Sequence, residues 1–214
     1  EFLQALYLAQ CPQHAGRLVL VVLDEMNLSH PEHYFADLLS LLEEPEEKQL
    51  LDLMAAPIPS APAKLVDGRL LRLPSNVWFI GTANHDETTK GFADKTYDRA
   101  HVMELPRKPS EFDVVGPQAR RPIGHADLMQ AFRRAKKVHG EAVREGFQAL
   151  TREIGTVLER DFRIAWGPRQ ERQASDFAPV VIGGGGSAAE AFDHLLATKV
   201  LRKLRDRHDT RADD

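Results

Sequence analysis

Two adjacent carboxylates, Asp24 and Glu25, follow directly on the apolar run Leu18-Val-Leu-Val-Val-Leu23. Asp24 offers a hard oxygen ligand for Mg²⁺, and Glu25 could polarise and activate a water. Together they suit phosphoanhydride hydrolysis, although a strand can also end in acids simply because it reaches solvent. Asn84 closes a second apolar run, Asn76-Val-Trp-Phe-Ile-Gly-Thr-Ala-Asn84. Its side chain could hydrogen-bond a γ-phosphate or a lytic water, or it could cap a helix or start a turn. Arg99 lies fifteen residues further on. A guanidinium there could stabilise charge on a transferred phosphoryl group, even from a neighbouring subunit, or it could pair with Asp94 or Glu104. Arg169, in Trp166-Gly-Pro-Arg-Gln, stands at an expected helix start.

These residues need elements that hold them. Short, β-branched apolar runs read as buried parallel strands, and open α/β sheets bind ligands at the carboxyl ends of such strands. Helical spacing marks residues 1–11 and about 33–44, the latter with Tyr34, Phe35, Leu38, Leu39, Leu41 and Leu42 on a broad apolar face. Lys64 to Leu73 reads as a β-hairpin, because Asp67-Gly68 suits the positive φ angles of a two-residue turn. Phe92–Asp98 reads as a helix and His101–Leu105 as a third short strand, while the Leu50–Met54 patch has no clear assignment. Residues 110–124 read as a linker. Helices are expected at about 125–138, 140–162 and 188–205, with Gly183–Gly186 as a flexible loop before the last.

The 214 residues suit one large domain, or one medium and one small. A hydrophobic share of 43% and a charged share of 28% are ordinary for a globular protein. The formal charge is -4 overall, but residues 125–214 carry 16 Lys and Arg against 14 Asp and Glu. That surplus is too small to establish a phosphate-backbone partner. Cys11 is the sole cysteine, which excludes an intrachain disulfide and points to a cytoplasmic, reducing compartment. No apolar run approaches a membrane span. The nine histidines show no metal-ligand spacing, and no serine stands in a nucleophile elbow. No G-x-x-x-x-G-K-[ST] loop is present to hold phosphates. The chain opens in helical periodicity without Met, and reads as a segment of a longer polypeptide.

The order of motifs is more specific than any one of them. Leu23-Asp-Glu-Met-Asn-Leu28, then Tyr34-Phe-Ala-Asp-Leu-Leu-Ser-Leu-Leu-Glu43, the hairpin, Gly81-Thr-Ala-Asn84, Asp98-Arg-Ala-His-Val102 and Pro168-Arg169 follow in turn. The whole resembles an AAA+ ATPase module of the branch containing McrB-type restriction NTPases, MoxR-type proteins and dynein-related proteins, entered after its Walker A part. The resemblance implies an α/β fold: residues 1–109 as the C-terminal part of the P-loop NTPase core, then the linker, then 125–214 as a small α-helical lid. It implies Asp24 and Glu25 as the Walker B pair, Asn84 as sensor 1 and Arg99 as a finger acting in trans. Arg169 is the first candidate for sensor 2 and Arg172 the second. Mg²⁺ with ATP, or GTP as in the McrB type, would be bound. Partners implied by the resemblance would be further copies in a hexameric ring, and a nuclease subunit and DNA if the likeness to restriction or phage-defence machines extends so far. Two alternatives stand beside this NTP hydrolase: a non-hydrolysing AAA+-shaped interaction module, and a MoxR-like protein-remodelling chaperone. Without the phosphate loop, this segment alone is expected to be inactive.

Overall fold

The computed structural model describes residues 1–84, 92–105, 116 and 122–204. It is a mixed α/β structure that divides into two compact units, Glu1–Ala126 and Asp127–Asp214. Most of the expected 110–124 linker lies outside the described residues.

In the first unit, helix α1 (Phe2–Ala9) leads to strand β1 (Val19–Leu23). Helices α2 (Pro31–Tyr34) and α3 (Ala36–Leu41) follow. Next come strands β2 (Leu50–Asp52), β3 (Leu65–Val66), β4 (Leu70–Arg72) and β5 (Val77–Gly81), and then helix α4 (Asp94–Arg99). β1 and β5 pair in parallel from Val19 opposite Val77 to Leu23 opposite Gly81, so the two apolar runs end side by side. Period-2 alternation turns Val19, Val21, Leu23, Val77 and Phe79 onto a core built with Leu6, Ala9, Phe35, Leu38, Leu71 and Leu73. The rings of Phe2, Phe35 and Phe79 form a triangle at its centre, with centroids 5.4 to 6.1 Å apart.

The expectation of strands buried on both faces is corrected here. Leu20, Val22 and Ile80, on the other face, are 51%, 58% and 45% exposed. Among the described residues that side is only partly covered. The expected 33–44 helix is also broken, because Phe35 (φ -120°, ψ 9°) leaves helical geometry while its ring packs into the triangle. Burial of a large aromatic outweighs one turn of helix continuity.

The hairpin forms as expected, with Asp67 (φ 50°) and Gly68 (φ 67°) in the turn between β3 and β4. β2, from the unassigned patch, adds antiparallel to β4 and makes a three-stranded sheet. Leu71 carries this sheet into the core. His101–Leu105 forms no strand; Met103 and Leu105 are exposed and gain nothing from the pattern that suggested one.

The second unit is helical. α5 (His125–Leu150) runs unbroken through Gly140, a residue whose helix cost of about 1 kcal/mol is absorbed by the length of the helix. A π-helical turn leads into α6 (Thr156–Phe162), followed by α7 (Pro168–Gly183) and α8 (Ala188–Leu195). Its core joins Val143, Phe147, Ala174, Ala178, Ala191 and Leu195. The glycine tract is a closed turn rather than a loose linker. Gly184 N donates to Val180 O and Gly186 N to Val181 O, both at 2.9 Å. Gly185 has φ 97°, and a Cβ on Gly186 would come within 2.7 Å of Val181 Cγ1. No helix among the described residues is long and apolar enough to cross a membrane.

Candidate functional site

The parallel pairing of β1 with β5 brings the loops at residues 24–28 and 82–84 together, and a network of hydrogen bonds joins them. Thr82 N donates to Leu23 O at 3.0 Å, which carries the ladder one step past β5. Thr82 O then accepts from Met26 N at 3.0 Å. The Thr82 hydroxyl accepts from Glu25 N at 2.9 Å and donates to Asp24 Oδ1 at 2.5 Å. Asn27, only 4% exposed, donates through Nδ2 to Asn84 O at 2.7 Å. Gly81 permits the approach: a Cβ there would overlap Met26 Sδ.

Glu25 sits in the left-handed region at φ 49°, ψ 42°, which costs a residue with a Cβ about 1–2 kcal/mol. The bonds from Glu25 N and Met26 N to Thr82 hold it there. The result is an exposed pair of carboxylates at the mouth of two paired strands, with Asn84 on the same loop as Thr82.

Asp24 and Glu25 are therefore tied to the loop that carries the third sequence-derived candidate, Asn84, whose backbone carbonyl is held by Asn27. Arg99 closes α4 in the same unit and is only 18% exposed, with Nη2 3.0 Å from Glu43 Oε2. Glu43, two residues past α3, is thus an ion-pair partner of Arg99. Arg169 and Arg172 lie in the first two turns of α7, in the second unit, and both are exposed. There Gln170 Oε1 accepts from Gly167 N at 3.1 Å and closes the helix start.

The fit to a magnesium ion rests on Asp24. Among the described residues no group of three His, Cys, Asp or Glu side chains could hold a metal. Mg²⁺ bound with a nucleotide asks for less: one or two carboxylates, with phosphates and waters completing the shell. Asp24 supplies that donor, with Oδ1 oriented by Thr82. Thr82 and Asn27 were missed by sequence reading. A Thr within Gly81-Thr-Ala-Asn84 and an Asn after two acids give no sign of their partners until the strands are paired.

These features define an α/β unit with a polar rim at the carboxyl ends of two parallel strands, followed by a helical unit. No protein-family model matches this chain, and neither a curated protein nor a solved structure matches it.

Proposed function

We propose that this chain supplies the hydrolytic side of an AAA+ NTPase, with Asp24 and Glu25 as its metal-binding and water-activating acids. The observation that carries the reading is the pair Asp24 and Glu25, both bonded to Thr82 where two parallel strands end, with Asn84 on the same loop as Thr82. Open α/β sheets bind ligands at such edges. Asp24 would hold Mg²⁺, which when bound would supply positive charge against the charge developing on a transferred phosphoryl group. Glu25, held with its carboxylate at the exposed mouth, orients a water and accepts its proton. Asn84 hydrogen-bonds the terminal phosphate or that water. Arg99 contributes positive charge to the site of a neighbouring copy, and Arg169 or Arg172 senses the nucleotide from the lid. The loop that holds the β- and γ-phosphates is not among these 214 residues, so the reading requires other polypeptide to provide it.

Glu25→Gln in the full-length protein tests the reading. Turnover should be lost while nucleotide remains bound; persistence of hydrolysis would remove Glu25 from the role. Stimulation of hydrolysis by DNA would favour a restriction-like machine with a nuclease partner, and indifference to DNA a MoxR-like chaperone. ATP and GTP are separated by direct competition.

One observation favours a second reading, a non-hydrolysing interaction module. Arg99 is drawn into a half-buried pair with Glu43, which a purely structural arginine would also make. Arg99→Ala separates the two: a finger in trans loses hydrolysis and regains it in mixed oligomers with Glu25→Gln subunits, whereas a structural arginine changes stability alone.

A further inference from the structure

We propose that Thr82 is a positioning residue that aims the Asp24–Glu25 pair at a metal-bound phosphate ligand, an inference that rests on the NTPase reading. Thr82 is exposed, yet its N–H, its C=O and its hydroxyl all bond to residues 23–26. The chemistry of the two hydroxyl bonds leaves no choice of direction. An amide N–H can only donate and an ionised carboxylate can only accept. The hydroxyl must therefore take its lone-pair contact from Glu25 N, at 2.9 Å, and give its proton to Asp24 Oδ1, at 2.5 Å.

One side chain thus sets two orientations. The bond to Oδ1 restrains the Asp24 carboxylate and leaves Oδ2 for a cation, as outer groups commonly orient metal ligands. The bond from Glu25 N helps hold φ at 49°, the conformation that sends the Glu25 side chain off the strand path. Serine can make both bonds, whereas valine has the same shape and can make neither. A threonine that merely closed a loop would affect stability without altering metal affinity.

The test uses the full-length protein and Mn²⁺ with a non-hydrolysable NTP analogue as probe, with binding read from water-proton relaxation. The Mg²⁺ concentration for half-maximal NTP hydrolysis is measured alongside. Thr82→Val should weaken Mn²⁺ binding by about tenfold or more and raise the Mg²⁺ requirement in parallel, while Thr82→Ser stays close to wild type. Thr82→Ala replaces Thr82→Val if the latter does not fold. Wild-type Mn²⁺ affinity and Mg²⁺ requirement in Thr82→Val, in a protein whose turnover is lost in Glu25→Gln, would overturn the role of Thr82 and leave the NTPase reading standing. Equal Mn²⁺ binding by wild type and Asp24→Asn, with no hydrolysis by wild type, would overturn both.

Discussion

Glu25 and Asn76 show how single residues in this unit carry opposite kinds of cost. Glu25 keeps a left-handed backbone that glycine would occupy without strain. Glu25→Gly is expected to be as stable as wild type, or up to about 1 kcal/mol more so. Glu25→Val, β-branched at positive φ, should lose about 1–2 kcal/mol. Urea denaturation of the three proteins checks this order; under the role proposed for Glu25, the strain would be stability given up for activity. Asn76 is 5% exposed, and its Nδ2 reaches Ala9 O and His14 O at 3.1 Å and Arg17 O at 2.9 Å. It ties the loop after α1 to the start of β5. Asn76→Ala removes these bonds, although His14 O keeps the one from Arg17 N at 2.9 Å, and should cost roughly 1–3 kcal/mol, read by the same denaturation.

At the scale of elements, β1 is a strand with unequal faces. Leu38→Ala in α3 empties a site in the core and should cost about 2–5 kcal/mol. Val22→Ala, on the exposed face of β1, should change stability by about 0.5 kcal/mol or less. Equal effects would mean that the exposed face is covered in solution. α8 offers a pH-dependent element. Ser187 N and Oγ donate to Glu190 Oε2 at 2.7 and 2.9 Å, and Glu190 N donates back to Ser187 Oγ at 3.2 Å. These bonds, the backbone one foremost, hold the Glu190 carboxyl below its ordinary value. A lowered folded-state value means the contribution is complete above the ordinary glutamate range, about 4.3, and is lost as pH falls through the lowered value. Hydrogen exchange in the first turn of α8, corrected for intrinsic rates, should accelerate only in that acid window. Glu190→Gln should remove the dependence. The Asp67-Gly68 turn was legible because it is decided within four residues; the Ser187–Glu190 capping box is just as local but went unread behind the glycine tract. The strand expected at 101–105 was not decided locally, since a strand exists only where a neighbour accepts its hydrogen bonds.

For the molecule as a whole, two compact units with separate cores imply separable responses to mutation. Leu71→Ala should lower hydrogen-exchange protection throughout the described part of 1–126 and leave α7 and α8 near their wild-type values. Phe147→Ala should do the reverse. The sequence by itself determined the two apolar runs, the acids and amide at their ends, the hairpin turn and the lack of a phosphate-holding loop in these residues. Each of those follows from residue types within a short window. Only the tertiary structure decided that the runs lie side by side, that one face of β1 is about half exposed among the described residues and that Arg99 turns to Glu43. It also joined Asp24 to Thr82, 58 residues away. Such pairings depend on which strand ends meet in space, a matter of the whole chain's packing that no local pattern encodes.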